Sequence, residues 1–334
     1  MTTINRHIKT LFTRNGFAVL LLITASLHAN AQQSFDGDIK NNSLAVSPNE
    51  LIAVASYSDS LKVKVYNIKT GKLIRNISGF VNPRNIIFSP DGKTFYISDS
   101  GLGLLIAYNT ATLKTVKSYP VGYGAFGTAI NKAGNLIFIN NEAANTVTAL
   151  DVTTGSVKAI VTGFAQPRQG VKLNPDNSKL YVTNFANDKI TVVDIATLKI
   201  DTTISGFNKI RAISITKNGA TLFAANSGAN EIAVVDIPSG KIIKTIPVGK
   251  DPYGASLSPD ETILLSGNKM DNTISVIDIA TLRNTKTIIG FKEPRQAIVF
   301  SKNGKLVYVL NNDLSISIVN LSANKIIREI QPKK

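Results

Sequence analysis

Cysteine and tryptophan are absent from the 334-residue chain, and its only histidines are His7 and His28. The absence of cysteine excludes disulfides, thiol nucleophiles and a lipid-modified cysteine. Both histidines lie within an N-terminal segment that we expect to be removed. The remaining chain then lacks the side chains for haem ligation, for the usual zinc and copper sites and for Ser/His/Asp hydrolysis. Carboxylates, tyrosine and lysine are left for acid–base chemistry.

That N-terminal segment has the pattern of a secretion signal. Three basic residues precede an apolar stretch, residues 17–27, which is too short to span a bilayer, and the small residues Ala29 and Ala31 precede the expected cleavage point. We predict a signal peptide over residues 1–31 and a single domain over residues 32–334, located in the periplasm or outside the cell. No later apolar run is long enough to cross a membrane.

Positive charge is in excess over the predicted domain. Without residues 1–31, the chain holds 34 Lys and Arg against 22 Asp and Glu, a net charge of +12. Such an excess attracts anionic partners over long range, an effect that salt weakens. We expect a monomer that binds an anionic ligand or a polyanion, such as single-stranded nucleic acid or an envelope component. The competing explanation is that the charge serves solubility alone.

An apolar segment that ends in Asp or Asn recurs seven times, with gaps of 42 residues and a single gap of 43. The seven terminal residues are Asn67, Asn109, Asp151, Asp194, Asp236, Asp278 and Asn320. Each period also holds three or four short apolar runs, and one small sheet of this kind cannot bury both of its faces alone. We predict an all-β fold, a seven-bladed β-propeller of four-stranded antiparallel blades. Each terminal Asp or Asn should accept backbone hydrogen bonds in the turn that follows.

The fourth copy shows the plan of one blade. A first strand ends near Leu173, and the turn residues Asn-Pro-Asp-Asn follow it. Residues 179–184 and 189–194 are the second and third strands, and residues 199–204 alternate Lys and Thr with Ile, as a solvated edge strand should. A Gly-Phe pair recurs before several first strands, and we expect its Phe to pack between blades. The Phe residues of this pair are Phe80, Phe164, Phe207 and Phe291.

Three segments of the sequence resemble a known repeat family. Tyr181-Val182-Thr183-Asn184 is the tetrapeptide after which YVTN-repeat β-propellers are named, and residues 89–93 and 272–278 look like the other two signatures of that family. The resemblance covers residues 42–330 and implies the seven-bladed fold. It implies little about function, because similar repeats occur in surface-layer proteins, in binding proteins and in propellers attached to redox or hydrolytic enzymes. Proteins similar to this one are commonly periplasmic or located at the cell surface.

The start of the innermost strand is the position where seven copies converge on the axis of the ring. At this position the copies carry Asn42, Arg84, Phe126, Arg168, Arg211, Tyr253 and Arg295. Four arginines and two aromatic rings predict a positively charged opening for phosphate or carboxylate groups, because the guanidinium fork binds them through parallel hydrogen bonds. In the alternative, each Arg pairs with a carboxylate such as that of Glu293 or Asp251 and fixes blade packing.

The two aromatic residues at this position stand beside glycines, as in Phe126-Gly127 and Tyr253-Gly254. We expect these glycines to allow a bound molecule to approach the backbone closely. Packing within the channel is the alternative role for both rings. A basic opening with aromatic platforms is also what proteins use to hold single-stranded nucleic acid without reading its sequence.

Two carboxylates stand out from their repeats, Glu142 after a pair of Asn and Asp99 in place of the usual Asn, and we expect both to be exposed. The leading hypothesis is a non-enzymatic binding or scaffold protein with no catalytic residue, no cofactor and no metal. Lactone or ester hydrolysis through Arg and Glu142 is one alternative, and a surface-layer or assembly role is another. A calcium site near Asp188 or Asp271 would need a recognisable loop of oxygen ligands, which the sequence lacks.

One question about the ring stays open at this stage. The last outer strand, residues 325–330, ends close to the C-terminus. The ring therefore closes either by packing of the first blade on the last or by addition of residues 35–39 to the final blade.

Overall fold

The computed structural model describes residues 39–332, so the predicted signal peptide lies outside the described residues. The described chain forms seven four-stranded antiparallel sheets, each built from four consecutive strands. This confirms the predicted seven-bladed β-propeller. Besides strands, the described residues contain one short 3-10 turn, Ser227–Ala229. Among the residues from 39 to 332, no helix is of a length and apolarity that would carry it through a bilayer.

The strands are numbered in chain order, from the innermost to the outermost in each blade. The first four blades are β1 Asn42–Val46, β2 Ile52–Tyr57, β3 Lys62–Asn67 and β4 Leu73–Ser78; β5 Pro83–Phe88, β6 Thr94–Asp99, β7 Leu104–Asn109 and β8 Thr115–Pro120; β9 Ala125–Ile130, β10 Leu136–Asn141, β11 Thr146–Asp151 and β12 Ser156–Val161; β13 Pro167–Leu173, β14 Lys179–Asn184, β15 Lys189–Asp194 and β16 Lys199–Ile204. The last three are β17 Ile210–Ile215, β18 Thr221–Asn226, β19 Glu231–Asp236 and β20 Lys241–Pro247; β21 Ser256–Leu257, β22 Ile263–Asn268, β23 Thr273–Asp278 and β24 Arg283–Ile289; β25 Ile298–Phe300, β26 Leu306–Leu310, β27 Ile316–Asn320 and β28 Lys325–Ile330.

Burial follows the position of a strand within its blade. The second and third strands, such as β14 and β15, are buried on both faces except at their ends, whereas the outermost strand β16 is exposed at every residue but its last. In all seven blades the pairing register of the third and fourth strands shifts by one residue. The polar residues of the outermost strands discourage pairing with other chains, as the sequence predicts, and the bulges have the same effect.

The hydrophobic core lies between the blades. Phe80 of the second blade, for example, shares a buried cluster with Val54 and Val63 of the first blade. The other recurring Phe residues, Phe164, Phe207 and Phe291, are buried in corresponding clusters. The prediction that these rings pack between blades is confirmed.

The turn after each third strand is capped as predicted. In every blade a side-chain oxygen of the terminal Asp or Asn accepts a hydrogen bond from the backbone N–H three residues later. The distances are 2.8 Å at Asn67, 2.9 Å at Asn109, 3.1 Å at Asp151, 2.9 Å at Asp194, 2.9 Å at Asp236, 2.7 Å at Asp278 and 3.0 Å at Asn320. Hydrogen bonds from the hydroxyl groups of Ser239 and Thr281, and then those from the backbone N–H groups of the same residues, lower the pKa of Asp236 and Asp278, so these carboxylates serve the turn.

The ring closes by packing of the last blade on the first. Leu44 and Leu310 belong to one buried cluster, and Asn42 Nδ2 donates a hydrogen bond of 3.4 Å to the carbonyl of Leu310. At the periphery, the guanidinium group of Arg328 donates to the carbonyl of Lys69 at 2.7 Å. Within residues 39–332 no strand is shared between blades. Residues 35–38 of the segment considered for an added strand lie outside the described residues.

Candidate functional site

The inner strands and the loops between second and third strands meet at one opening of the central channel. Guanidinium groups and aromatic rings alternate around it. The distances from guanidinium carbon to ring centroid are 4.8 Å for Arg84 over Phe126, 4.0 Å for Arg168 over Phe185, 4.4 Å for Arg211 over Phe185, 4.3 Å for Arg211 over Tyr253 and 5.5 Å for Arg295 over Tyr253. We call these seven residues the mouth. The structure thus brings all six predicted site residues to one opening, together with Phe185.

Arg211 lies at the centre of the longest stack. Its guanidinium group is held between the rings of Phe185 and Tyr253 and is partly exposed. Its Nε donates to Ser227 Oγ at 3.3 Å. Among the described residues, no carboxylate oxygen lies within 4.0 Å of its nitrogens, and burial is the main cause that lowers its pKa. The faces of this cation are therefore covered by rings while its edge has no anionic partner within the described chain.

Arg168 combines stacking with a buried carboxylate. Its Nε lies 3.6 Å from Glu142 Oε1, and its side chain is 20% exposed while that of Glu142 is fully buried. Burial lowers the pKa of Arg168, the carboxylate of Glu142 opposes this effect, and the positive charge of Arg211 lowers the pKa further. Arg168 Nη2 also donates to Gln166 Oε1 at 3.3 Å. Glu142 thus compensates part of the charge at the mouth, while Arg168 stays partly exposed.

The other two arginines are buried, against the expectation of four equal anion ligands. Arg84 is fully buried, and its Nε donates to Ser100 Oγ at 2.7 Å. Arg295 is 5% exposed, and its Nη1 donates to the carbonyl of Lys40 at 2.6 Å. Arg295 also pairs with Glu293 at 3.7 Å, one of the ion pairs that the sequence suggested. These two arginines consequently help to hold the rim together, and the accessible charge lies on Arg168 and Arg211.

Phe126 and Tyr253 differ in the same way. Phe126 is 1% exposed and stacks on Arg84, so the packing role applies to it. Tyr253 is half-buried and lies between Arg211 and Arg295, just before the short inner strand of its blade. Tyr253 therefore remains in the accessible part of the mouth.

Asn41 is the residue of the first blade that contacts the mouth. This corrects the prediction that Asn42 lies at the opening. Asn42 is fully buried and bonds to the last blade, whereas Asn41 Nδ2 donates to the carbonyl of Arg84 at 2.9 Å and to Gln169 Oε1 at 3.1 Å. Gln169 Nε2 in turn donates to Asn85 Oδ1 across the channel. Strand register explains this difference between Asn41 and Asn42. β1 pairs with β2 without a register shift, whereas the pairing of β5 and of β13 with their second strands shifts near the start of the inner strand. The resulting amide cluster connects Arg84 at the mouth with Gln169 and Asn85, which line the cavity of the channel.

Both carboxylates expected to be exposed are buried, and that prediction is wrong. Glu142 is 1% and Asp99 is 0% exposed. Asp99 accepts hydrogen bonds from the backbone N–H groups of Val81, Asn82 and Leu102 at 2.8, 3.1 and 3.0 Å. Such bonds offset the cost of burying a carboxylate, so Asp99 is a structural residue of its loop. Glu142 is buried instead beside the guanidinium group of Arg168.

The glycines at the mouth serve blade packing, which corrects the expectation that they admit a bound molecule. A Cβ at Gly127 would lie 2.5 Å from the carbonyl oxygen of Arg168, and a Cβ at Gly254 would lie 3.1 Å from that of Arg295. Both contacts are made with the next blade along the chain. Glycine is needed here because two backbones approach each other at the rim.

Phe185 is the mouth residue that the sequence argument missed. Phe185 is the first residue after the second strand of its blade. In several other blades the residue at the equivalent loop position also lies at the mouth. The seven residues at this position are Ser58, Ser100, Glu142, Phe185, Ser227, Lys269 and Asn312. Ser100, Glu142, Phe185 and Ser227 all contact mouth arginines. A second alignment of the repeats at this position would have identified Phe185.

No group of three or more Asp, Glu or His side chains within residues 39–332 is placed to hold a metal ion. The two aspartates considered for calcium bind backbone instead: Asp188 Oδ1 accepts from Ile210 N at 3.3 Å, and Asp271 Oδ2 accepts from Lys250 N at 2.6 Å. The chemistry available at the mouth is therefore that of guanidinium groups, aromatic faces and the carboxylate of Glu142.

Comparisons with known proteins agree with this architecture. A family model described as "Lactonase, 7-bladed beta-propeller" matches residues 24–296. Hydrazine synthase of Kuenenia stuttgartiensis is similar in structure, with a TM-score of 0.63, 18% sequence identity and coverage of 72% of this chain and 77% of that chain. At this identity the likeness concerns the fold alone. A search of curated proteins gave no match.

Proposed function

Because the chain belongs to the lactonase family of seven-bladed β-propellers, we propose that its mouth binds a small planar anion, and that an anionic lactone or the hydroxy acid formed from it is the ligand class. The observation that carries this proposal is the position of Arg211 between two aromatic rings, with no carboxylate of the described chain within 4.0 Å. The YVTN-repeat relationship remains a finer proposal, supported by the tetrapeptide in β14.

Stacking prepares Arg211 for such a ligand. The rings of Phe185 and Tyr253 fix the plane of the guanidinium group and exclude water from its faces. The N–H groups at its edge then point outward in one plane, which matches the two oxygens of a carboxylate. Arg168 lies on the other face of Phe185 and adds a second positive charge at 4.0 Å from the same ring. Both charges are partly buried, so water screens them less than it screens exposed lysines.

Calorimetric titration of the protein with benzoate and with a carboxylated γ-butyrolactone tests this proposal. Arg211→Gln should weaken binding about tenfold or more, because a hydrogen bond to a charged group contributes about 1.5–3 kcal/mol. Arg283→Gln removes the same charge from an exposed position on β24 and is the matched control. Equal affinities of the two variants would refute the proposal, since only the overall charge would then matter.

A polyanion such as single-stranded nucleic acid is the broader form of the same proposal. Of the four mouth arginines, Arg168 and Arg211 are the two that are partly exposed. Two phosphate contacts would give a slope of about −1.4 for log affinity against log salt, at about −0.7 per contact. A slope near −3 would instead require all four arginines to meet phosphates. A slope near zero would remove phosphate binding altogether, and self-association that survives loss of all four arginines would favour an assembly role.

Hydrolysis of the lactone at the mouth is a second candidate function, favoured by the family and by the buried Glu142 beside Arg168. In such a reaction the carboxylate of Glu142 would accept a proton from water as the oxygen of that water attacks the lactone carbonyl. The ring C–O bond would then break, and the proton would pass to the ring oxygen to give a hydroxy acid. Arg168 would hold the negative charge that forms on the carbonyl oxygen.

Glu142→Gln separates hydrolysis from binding. If the mouth is catalytic, this variant should still bind benzoate but should lose turnover of a carboxylated γ-butyrolactone, because an amide cannot accept the proton. If the wild-type protein has no turnover on a panel of anionic lactones, the binding function alone remains.

Secretion remains part of the proposal. It is supported by the basic and apolar pattern of residues 1–31 and by the small residues before the expected cleavage point. Intact mass measurement of protein recovered from the periplasm or medium should give a chain that begins at Gln32. Recovery of the full-length chain from the cytoplasm would refute it.

A further inference from the structure

Among residues 39–332, a single charged side chain lines the cavities of the central channel. A cavity of about 250 Å³ lies on the axis below the mouth, lined by residues of all seven inner strands. Its lining is made of amides, hydroxyls, aliphatic side chains and backbone, with Lys172 of β13 as the one charged residue among the described lining. The mechanism proposed for the mouth makes no use of this lysine.

Lys172 is specific to its blade. Strand pairing shows which residues of the other inner strands are equivalent, because each of them pairs with the same position of its second strand. The equivalents of Lys172 are Ala45, Ile87, Ala129, Ser214, Ser256 and Val299. Six blades thus place a small or uncharged residue here, and the fold does not require a cation at this position.

No partner within the described residues neutralises this charge. None of the carboxylates in residues 39–332 forms an ion pair with Lys172, whose side chain lines the cavity and is exposed to the solvent inside the channel. Enclosure lowers the pKa of Lys172, because a charged amine is less well solvated inside the channel than in bulk water. Because this ammonium group lines the cavity and is open to its solvent, an anion that enters the channel can contact it directly.

The two ends of the channel differ. Towards the mouth, the bonds of Gln169 to Asn41 and Asn85 cross the channel. Towards the opposite face, Lys172 also lines a second cavity of about 390 Å³, together with Ser214 and Ser256. An ion can therefore reach Lys172 from the face opposite to the mouth without disturbing the amide cluster.

We propose that the channel around Lys172 is a second binding site, separate from the mouth, for a small anion such as phosphate or a short carboxylate. A cavity of about 250 Å³ has the volume of about eight liquid water molecules at about 30 Å³ each, enough for phosphate with part of its hydration shell. The ammonium group supplies up to three donors and the positive charge.

Titration of the full protein with inorganic phosphate in low-chloride buffer tests this site. Lys172→Ser introduces the residue that two other blades carry and should reduce phosphate affinity at this site about tenfold or more, the scale of one charge-assisted hydrogen bond. Lys199→Ser, on the exposed strand β16, is the matched control and should leave phosphate binding unchanged. Phosphate binding by Lys172→Ser equal to that of wild type would overturn the proposal.

Two further measurements test the site around Lys172 without relying on the Lys172→Ser variant. Phosphate should slow acetylation of Lys172 by an amine-reactive reagent in the wild-type protein, read by mass spectrometry, while Lys199 is labelled at an unchanged rate. Unchanged labelling of both lysines would overturn the site even if Lys172→Ser failed to fold. Arg211→Gln should weaken benzoate binding about tenfold or more but keep phosphate protection of Lys172, so failure of the mouth and failure of the channel site are distinguishable.

Discussion

At the outer turns all seven blades make the same interaction, whereas at the mouth each blade presents a different combination of residues. Every third strand ends in an Asp or Asn that accepts a hydrogen bond from the turn after it. At the mouth, by contrast, Glu142 and Phe185 occupy equivalent loop positions and have unrelated roles. The difference shows that the repeated positions maintain the blade, and it places the binding chemistry that we propose at the divergent positions.

Substitution of two phenylalanines, one at a repeated position and one at the mouth, should give the largest effects on stability and on binding. Phe164 is a repeated residue, 7% exposed in the core between blades, and Phe164→Ala should lower the free energy of unfolding by about 3–5 kcal/mol. Phe185→Ala should cost little stability but weaken benzoate binding several-fold, since a cation–π contact contributes about 0.5–2 kcal/mol. Thermal unfolding and calorimetric titration of both variants would measure this. Equal losses of stability would remove the distinction between core and mouth.

Gly127→Ala tests the close approach of two blades at the rim. The added Cβ would lie 2.5 Å from the carbonyl oxygen of Arg168 and 2.8 Å from that of Gln169. Overpacking of this kind should cost about 1–3 kcal/mol and displace Arg168, so the melting temperature and the benzoate affinity should fall together. An unchanged melting temperature would show that the rim is looser than the structure indicates.

Asp278→Ala tests the opposite region, the outer turn. The carboxylate accepts hydrogen bonds from the backbone N–H and the hydroxyl of Thr281, both at 2.7 Å. Its loss removes two hydrogen bonds of the turn and should lower the melting temperature slightly, but it should leave benzoate and phosphate binding unchanged, because the turn is far from the channel. A changed affinity would contradict the separation of turn and mouth.

The smallest effect concerns the pH dependence of one outer turn. Lys179 binds Asp194 at 2.9 Å and, with the capping bonds of Thr197, lowers the pKa of Asp194 from 3.8 to about 2. A carboxylate whose folded pKa is lowered contributes stability above its unfolded pKa and loses it as the pH falls through the folded pKa. The stability difference between wild type and Lys179→Met should therefore shrink between about pH 4 and pH 2. A difference that is constant with pH would show that this ion pair does not affect stability.

The fold could be predicted from the sequence because its information is local and repeated. The 42-residue period and the capping position of Asp278 describe features of every blade, and the contact of Phe164 recurs at four blades. Neighbouring blades bury the same faces, so one copy predicts the next.

The candidate site could be predicted only in part. Alignment of the inner strands placed Arg211 and Tyr253 at one opening, since convergence on the axis follows from the repeat. It could not show that Arg84 would be fully buried over Phe126, or that Glu142 would be buried under Arg168. These outcomes depend on the side chains of the adjacent blade, and contacts between blades have no pattern within a single repeat.

The most direct test of the binding account is the benzoate affinity of Arg211→Lys. Lysine keeps the positive charge but has neither the planar fork nor the flat faces that lie between Phe185 and Tyr253. If the mouth recognises a planar anion through this stack, affinity should fall about tenfold or more, close to the loss in Arg211→Gln. If Arg211→Lys binds benzoate as tightly as the wild-type protein, charge alone accounts for binding and the stacked-arginine site is wrong.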